Sequence, residues 1–517
     1  MTRHPEFAPY LAVHNYGLGD LLHEHARSRP NMTAVVDGEV RFTFRELDAR
    51  VNRLASVLRD RGVTKGDRVL WLGQNSFRVL ETLLACARVG ALMCPANWRA
   101  SAFEVARTLA DFDPKVVFWQ ESEIGEINRA TRIDWQHGRH WIQHDGAEAD
   151  DYEGLVAAGA PGGQYDPVEV STPLLAIYTA AFSGEPNAAL LSHESLLLTA
   201  MLAQQGQAIA EGGGYLVSGP MFHVGVLMGA LGTFLMGGRC AFVARVEAET
   251  LLEVIQAEKL THAYIPQPTI LQMREVLASK AYDISSLFAD PEMSDWKSPM
   301  VMPAAAPMMR RLGGYGQTEI GGLTVLAWMG GSAAGRAAPF LSIKIADDAG
   351  EEVAQGEVGE ILARGPLVMC GYWRRPEENA RRVVNGWHRT HDLGKRLADG
   401  SLVFVGPKTT MIKSALENIY PAEIEACLRQ HEGVADVCVI GVPDPVWSQN
   451  VKAVIVLKPG AAHQPESFIE HCRSRLASYK KPKIVEFAEA LPRTPFGAVD
   501  RKAVDAAHGG GGYPSVG

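Results

Sequence analysis

The first quarter of the chain alternates between two hydrophobic periods, and this alternation constrains the fold more than any other feature. In FTFRELDARVNRLASVLRDRG, apolar residues recur three and four positions apart, and Thr43 is placed to cap a helix. DRVLWLG is an apolar run of strand length, FRVLETLLACARVGA is helical and stops near Gly90, and PKVVFWQ returns to strand. Strands separated by helices predict a largely parallel sheet with helices on its faces.

The rest of the chain contains further strand candidates, and their hydrophobic pattern changes along the sequence. LLAIYTAA, HAYIPQP and GGRCAFVA are further strand candidates, whereas LSIKIADDAGEEVAQGEVGEILARGP alternates with period two, which is typical of antiparallel strands. A chain of 517 residues is too long for one core. We predict a large N-terminal domain over residues 1–406, a compact α+β domain over 407–508 and a flexible tail over 509–517.

Composition narrows the class of protein. The net charge of −9 disfavours nucleic acid or an anionic membrane as a partner. The seven cysteines contain no CxxC pair, which is typical of reduced thiols in a cytoplasmic protein and gives no sign of a metal site. The chain shows neither a basic segment followed by an apolar run at its N-terminus nor an apolar run of membrane-spanning length, so we expect no signal peptide and no membrane span.

Two glycine-containing stretches suit a nucleotide. In YTAAFSGEPNAALLSHESL a strand runs into a loop at Ser183 and Gly184, whose backbone N–H groups are suited to phosphate; a plain strand-loop-helix turn is the alternative. GGYGQTEIGG places an aromatic ring, a hydroxyl and a carboxylate on one loop, at Tyr315, Thr318 and Glu319. These groups suit a base, a phosphate oxygen and Mg²⁺, and a surface turn is the alternative.

Two further stretches each contribute one polar side chain. Asp392 in WHRTHDLG is suited to accept from ribose hydroxyls, and a turn cap is the alternative. His223 in PMFHVGV lies among apolar residues, where a histidine satisfied within the core is the alternative.

Together, in this order and spacing, the four stretches resemble the adenylate-forming superfamily of acyl-CoA synthetases, peptide-synthetase adenylation domains and luciferases. The resemblance extends from FTFRELDARVNRLASVLRDRGV through GEILARGPLVMCGYW and ENIYPAEIE to LPRTPFG, and the acyl- or aryl-CoA ligase branch fits best. It implies a large domain of stacked α/β sheets with a β-barrel-like part, followed by a small mobile domain. It also implies two half-reactions: ATP and a carboxylate give acyl-AMP and pyrophosphate, and a thiol, usually that of coenzyme A, then displaces AMP.

The resemblance also implies residue roles. Tyr315 would stack on adenine beside Gly316, Thr318 would hold the α-phosphate, and Asp392 would bind the ribose. Glu319 would bind Mg²⁺ if ATP is used, and His223 would border the acyl pocket and the thiol tunnel. The remaining implied positions are Ser183 and Gly184 in the phosphate loop, and Tyr264, Pro266 and Thr269 in the wall of the acyl pocket.

The sequence departs from the family where pyrophosphate is handled. The phosphate loop has Asn187 in place of a lysine, Phe182 in place of a threonine, and Ala181 and Ala188 in place of glycines. In LPRTPFGAVDRKAV, Ala498 occupies the position of the family's catalytic lysine. A fixed cation facing charge that develops in the transition state contributes several kcal/mol, and an alanine supplies none of it.

Other departures from the family affect the hinge between the domains, the path of the thiol and the pocket for the carboxylic acid. Pro407 replaces the hinge arginine and fixes φ, which biases the small domain toward one orientation. Ala415 and Leu416 replace two glycines on the pantetheine path, so a carrier-protein thiol remains open beside that of coenzyme A. Only residues 308–314 separate Pro307 from Tyr315, too few for the family's helix and strand, which predicts an open pocket for a bulky acid.

Three interpretations stay open. In the first, the protein transfers the acyl group of a ready-made acyl-AMP to a thiol, and a partner ligase supplies the adenylate. In the second, it is a complete ATP-dependent ligase in which Lys502 or Lys413 replaces the lost lysine. In the third, it binds an acyl-adenylate without catalysis. The first fits best, because the losses fall on adenylation while the AMP-binding residues are kept. In this it resembles the non-adenylating acyl-CoA ligases of diterpenoid antibiotic pathways of the platensimycin type.

Overall fold

The computed structural model describes residues 13–162, 168–179, 186–263, 265, 267–287, 314–326, 335–414, 417–494 and 498–512. Its helices are α1 (Leu18–Ser28), α2 (Phe44–Asp60), α3 (Phe77–Val89), α4 (Ala102–Phe112), α5 (Gly125–Asp134), α6 (Tyr152–Ala158), α7 (His193–Gln207), α8 (Val224–Leu235), α9 (Ala248–Glu258), α10 (Gln267–Ser279), α11 (Pro376–Arg381), α12 (Pro421–Leu428), α13 (Pro465–Arg473), α14 (Arg501–Ala507) and a 3-10 turn (Thr318–Ile320).

The strands are β1 (Thr33–Asp37), β2 (Val40–Thr43), β3 (Arg68–Leu72), β4 (Leu92–Pro95), β5 (Val116–Trp119), β6 (His140–Gln143), β7 (Pro173–Thr179), β8 (Asn187–Ser192), β9 (Gly214–Val217), β10 (Arg239–Phe242), β11 (His262–Ala263), β12 (Gly314–Gln317), β13 (Gly322–Leu326), β14 (Arg336–Ala337), β15 (Ser342–Ala346), β16 (Val358–Arg364), β17 (Val383–Val384), β18 (Trp387–Arg396), β19 (Leu402–Pro407), β20 (Ile412–Ser414), β21 (Glu417–Ile419), β22 (Val434–Asp444), β23 (Ser448–Leu457) and β24 (Ile484–Phe487).

Two mainly parallel sheets build the first half of the chain. One has the order β6-β5-β3-β4-β7-β8, parallel except for the β7–β8 pair, and the other has the order β11-β9-β10-β1-β2, parallel except for the β1–β2 pair. Helix α3 is buried along almost its whole length, and one apolar cluster joins it to strands of both sheets through Phe77, Trp71 and Val35. The predicted parallel α/β architecture is therefore confirmed.

Helix α2 forms where the hydrophobic period predicts it. Thr43 accepts a hydrogen bond from the Glu46 N–H at 3.3 Å, and Glu46 accepts one from the Thr43 N–H at 2.8 Å, so the two ends of this capping box satisfy each other. The apolar stripe that includes Leu47, Val51 and Leu54 packs into the core. The predicted helix and its Thr43 cap are both confirmed.

The strand predicted at HAYIPQP is wrong in its second half. Among the described residues of this stretch, strand is confined to His262–Ala263, and α10 begins at Gln267. Pro268 lies in the first turn of α10, where its missing N–H has no partner to lose and its fixed φ suits a helix.

Antiparallel strands form the second half of the large domain, as predicted. Strands β12, β13 and β14 make one sheet, and β15, β16, β18 and β17 make another, to which β19 adds beside β18. Gly335 and Leu402 form a bridge that joins the two sheets around an apolar cluster containing Tyr315 and Ile343, which gives the barrel-like part.

A small α+β domain completes the chain. Its sheet has the order β21-β20-β23-β22, with β24 beside β23, and α12, α13 and α14 pack on it. The chain enters this domain from β19, whose last residue, Pro407, pairs with Asp392 on β18. Among the described helices, none combines the length and the apolar character needed to cross a membrane.

Candidate nucleotide and thiol site

The residues of the predicted base and phosphate motif lie on one strand and the turn after it. Tyr315 and Gly316 are on β12, and Thr318 and Glu319 are in the 3-10 turn. The turn ends at Gly321, whose φ of +84° lies in the left-handed region that favours glycine. This glycine ends the turn and lets the chain reverse into β13, which begins at Gly322 and pairs with β12.

Tyr315 and Asp392 are directly bonded. The Tyr315 hydroxyl donates to Asp392 Oδ2 at 2.8 Å, and Gln317 Nε2 donates to the same oxygen at 2.7 Å. The Tyr315 ring stacks on Phe404, with ring centroids 5.2 Å apart and planes 18° apart. Two residues that lie far apart in the sequence thus form one aromatic and carboxylate pair, backed by Phe404.

The charge of Asp392 is sensitive to pH. Burial raises the pKa of Asp392 to about 6, and this effect outweighs the hydrogen bonds from Tyr315 and Gln317, which lower it. The carboxylate is therefore ionised at neutral pH and protonated in mild acid. An ionised carboxylate beside an aromatic ring fits the ribose and base of AMP.

Glu319 is buried and accepts a hydrogen bond from Tyr372. It is 3% exposed, and the Tyr372 hydroxyl donates to its Oε1 at 2.9 Å. The guanidinium of Arg382 lies 5.6 Å from the centre of the Tyr372 ring. Within the described ranges, no three His, Cys, Asp or Glu side chains are grouped so that they could hold a metal ion.

His223 meets the small domain. It is the N-cap residue of α8, and its Nε2 lies 3.3 Å from Glu417 Oε1, at the start of β21. Arg99 donates to the same oxygen. Burial alone raises the pKa of Glu417, but the His223 and Arg99 contacts outweigh burial and hold the pKa at about 2. An ionised carboxylate of the small domain therefore fixes the position of the His223 ring.

Further polar contacts hold the two domains together beside His223. Asn97 Nδ2 donates to the Tyr479 hydroxyl oxygen at 3.1 Å, and Ser101 Oγ donates to the Arg475 carbonyl at 2.7 Å. Arg99 also lies over the Tyr479 ring, 5.2 Å from its centre. The segment from Asn97 to Ser101 is thus part of the large domain's side of the interface, together with His223.

A buried ion cluster crosses the same interface. Lys480 Nζ lies 2.7 Å from Glu104 of the large domain and 2.9 Å from Glu423 of the small domain. Burial alone lowers the pKa of Lys480, but the two carboxylates and Tyr479 outweigh it and raise the pKa well above its usual range. The lysine therefore stays charged and joins one carboxylate from each domain.

The asparagine in the phosphate loop is already bonded. Asn187 begins β8 and is 8% exposed. Arg375 Nε donates to its Oδ1 at 3.1 Å, and the same guanidinium donates to Asp111 at 2.8 Å. The side chain that replaces the family's lysine therefore contributes an amide oxygen to Arg375 and no positive charge.

Ala498 presents a methyl group to solvent. It is exposed, and its carbonyl accepts from the Thr494 N–H at 2.8 Å, next to a bridge between Arg493 and Val499. Val499 packs on the apolar cluster of the small domain that includes Cys438. These contacts all lie within the small domain.

Several residues that the sequence predicts for the site are not placed there by the described structure. Ser183, Gly184, Tyr264 and Pro266 lie outside the described residues, as do residues 308–313 and 415–416. Thr269 is buried in the first turn of α10, and no hydrogen bond in the described part joins it to Tyr315, Asp392 or His223. The predicted roles of these residues stay predictions.

Three side chains in the site were missed by sequence reasoning. Gln317 lies inside the GGYGQTEIGG stretch, where its side-chain amide is a local signal for a polar contact such as the one it makes with Asp392. Tyr372 lies in the quoted GEILARGPLVMCGYW stretch but has no local pattern that points to Glu319. Arg99 has no signal at all, because its partner Glu417 lies 318 residues away.

The family profile described as AMP-binding enzyme matches residues 22–373, and that described as AMP-binding enzyme C-terminal domain matches residues 423–497. The chain belongs to the AMP-binding enzyme family, the adenylate-forming superfamily, within its acyl-CoA ligases.

Among its relatives, the indoleacetate–CoA ligase of Aromatoleum aromaticum is 33% identical over 507 residues, covering 94% of this chain and 97% of the relative. A feruloyl-CoA synthase of an Amycolatopsis species is 34% identical over 511 residues, covering 94% and 98%. An amide bond synthetase from Marinactinospora thermotolerans has the same fold, with a TM-score of 0.80 and 24% identity over 95% of this chain and 99% of that one.

Proposed function

We propose that this acyl-CoA ligase carries out only the thiol-transfer half-reaction, in which acyl-AMP and a thiol give a thioester and AMP. The observation that carries the proposal is the exposed methyl group of Ala498 at the position where the family has its catalytic lysine. The amide of Asn187, bonded to Arg375, supports it from the phosphate loop. Both changes remove positive charge that adenylation needs, because adenylation must stabilise charge on the phosphates.

On the nucleotide side, the proposal uses residues that the chain keeps. Tyr315 contacts the adenine, Asp392 accepts from the ribose hydroxyls through its ionised carboxylate, and Thr318 with Gly316 lies along the α-phosphate. Glu319 binds Mg²⁺ only if ATP is used, which the proposal does not require. The bond from Tyr315 to Asp392 holds the aromatic and acidic groups in fixed relation before the nucleotide arrives.

On the thiol side, His223 borders the point of attack. The thiol sulfur forms a bond to the acyl carbon, the bond from that carbon to the phosphate oxygen breaks, AMP leaves with the electron pair, and the thiol proton passes to solvent. Glu417 and Arg99 hold the His223 ring, so the entry is formed while the small domain is docked as it is here. Pro407 and the buried Lys480 cluster favour this docked arrangement.

We further propose a bulky, ring-containing carboxylic acid as the acyl group. The short link from Pro307 to Tyr315 supports an open pocket, and the indoleacetate and ferulate named for two relatives are ring-containing acids. A polycyclic acid of the platensimycin type belongs to the proposed class. Coenzyme A is the first candidate for the thiol, a carrier-protein thiol is the second, and a partner ligase supplies the adenylate.

A pair of assays tests the proposal. Pyrophosphate exchange with ATP and a panel of carboxylic acids is expected to be silent, whereas synthetic acyl-AMP with coenzyme A is expected to give thioester. Ring-containing acyl-AMPs should react faster than linear ones of similar mass. Exchange activity in the natural protein would instead show a complete ligase, and absence of thioester from every acyl-AMP and from both thiols would show a binding protein.

Restoring the two lysines gives a sharper test. The double variant Ala498→Lys with Asn187→Lys is expected to gain exchange activity, and Ala498→Met with Asn187→Met, of similar length but uncharged, is not. Thiol transfer from synthetic acyl-AMP should persist in both. If the lysine variant gains nothing, charge loss at these positions does not explain the missing half-reaction.

The complete ligase is the second candidate, favoured by the names of the relatives. This candidate assigns the place of the lost lysine to Lys413, which pairs with Asn418 across β20 and β21 and whose Nζ donates to the Asn418 Oδ1 at 2.7 Å. Burial lowers the pKa of Lys413, while Glu417 opposes this effect. If exchange is found in the natural protein, Lys413→Met should abolish it.

A further inference from the structure

A buried amide ties the two parallel sheets together behind His223. β3 ends at Leu72, and Asn75 lies in the short segment before α3, 8% exposed. Its Nδ2 donates to the carbonyls of Gly219 at 2.6 Å and Val217 at 3.3 Å, and its Oδ1 accepts from the Met221 N–H at 3.2 Å. One side chain of the first sheet therefore holds the segment that follows β9 in the second.

Asn75 is itself held in place. The Gln120 Oε1 accepts from the Gln74 N–H at 2.8 Å, and Gln120 Nε2 donates to Gln74 Oε1 at 3.0 Å. This reciprocal amide pair joins the ends of β3 and β5 and fixes the backbone immediately before Asn75. The Asn75 side chain is therefore held in one position, because hydrogen bonds constrain both the backbone before it and its own polar atoms.

The segment held by Asn75 leads directly to the thiol side of the site. The His223 N–H donates to the Pro220 carbonyl at 3.0 Å, and the His223 carbonyl starts α8 by accepting from Val226 and Leu227. Phe222 lies under the Arg99 guanidinium, 5.4 Å from it. The position of residues 219–223 thus decides where both large-domain partners of Glu417, His223 and Arg99, meet the small domain.

We propose that Asn75 is a positioning residue for His223 in thiol transfer. The proposal rests on the proposed function for its effect on activity, but not for its effect on the loop. Only a side chain with donor and acceptor on one planar group can satisfy two carbonyls and one N–H at this point. An aspartate of the same size keeps the acceptor and places a carboxylate against the two carbonyls.

The first test measures the loop without any reaction. Amide hydrogen exchange, followed by peptide mass spectrometry, should show lower protection of residues 219–223 in Asn75→Ala and Asn75→Asp than in the natural protein. Asn128→Ala is the matched control, since Asn128 is also buried but its Nδ2 donates to the carbonyl of Ile124, the residue that caps its own helix. Unchanged protection at 219–223 in both Asn75 variants would overturn the proposal.

The second test separates positioning from a general loss of stability. With synthetic acyl-AMP and coenzyme A, kcat in the Asn75 variants should fall about ten- to a hundredfold, the order of effect of an ångström-scale misplacement. The Kd for AMP should change by less than about twofold, because Tyr315 and Asp392 are bonded independently of this loop. Equal losses in kcat and AMP affinity would overturn the proposal. If the natural protein forms no thioester, the proposed function fails. The amide hydrogen exchange of residues 219–223 then still decides whether Asn75 holds this loop.

Discussion

Among single residues, Asp392 is expected to make the binding of AMP depend on pH. Because its pKa lies at about 6 and an ionised carboxylate is the stronger acceptor for the ribose hydroxyls that we assign to it, the Kd for AMP should rise as the pH falls from 7 to 5. Protonation of most of the population at pH 5 predicts a weakening of about tenfold. Isothermal titration calorimetry at a series of pH values measures it.

Asp392→Asn is the control for this prediction. The amide keeps the size of the side chain but cannot titrate, so AMP should bind more weakly at pH 7 and the remaining pH dependence should be that of AMP itself. If the natural protein and the variant show parallel pH profiles, the carboxylate does not set the affinity.

At this scale, sequence reasoning found residues that carry a family motif and missed those defined by a distant partner. Tyr315 and Asp392 were both named from their motifs, but their mutual hydrogen bond was not, since 77 residues separate them. Arg99 was missed for the same reason. A charge on a loop is common, and only the fold shows which carboxylate it meets.

Among the elements, α2 depends on its cap. Thr43→Ala removes the hydroxyl that accepts from the Glu46 N–H, so the free energy of unfolding of the large domain should fall by about 1 kcal/mol. Chemical denaturation monitored by tryptophan fluorescence measures this change. Thr108→Ala, inside α4, is the matched control and should change stability by less than about 0.5 kcal/mol. Equal effects of the two substitutions would contradict the capping role.

The periodic elements could be predicted because their signals are local. Thr43, Glu46 and the apolar stripe of α2 all lie within one stretch of sequence, and they agree. The strand predicted through Pro268 failed because a short apolar run does not distinguish a strand from the entry to a helix. Pro268 favoured the helix entry in the folded chain.

For the whole molecule, Lys480 should decide whether the small domain stays docked. Lys480→Met leaves Glu104 and Glu423 facing each other without the cation between them, and breaking a buried pair in this way costs about 3–5 kcal/mol. We expect a larger radius of gyration by small-angle X-ray scattering and slower thiol transfer from synthetic acyl-AMP.

Lys481→Met is the matched control for this prediction, since Lys481 Nζ donates to the Ser478 carbonyl within the small domain. It should leave the scattering curve unchanged. An unchanged curve for Lys480→Met as well would mean that the other interface contacts, such as that of Ser101 with Arg475, hold the small domain without the lysine. This arrangement of the two domains could not be predicted from the sequence, because every contact in it is long-range.

The contact between Arg99 and Glu417 also has a consequence for biosynthesis. The two residues are 318 positions apart. At about 5–20 residues per second, a ribosome needs roughly 15–60 s to make the chain between them. During that time the Asn97–Ser101 segment and Glu104 of the nascent large domain are without their partners in the small domain. The contacts of Glu417 with Arg99 and His223 can therefore form only when the last fifth of the protein leaves the ribosome.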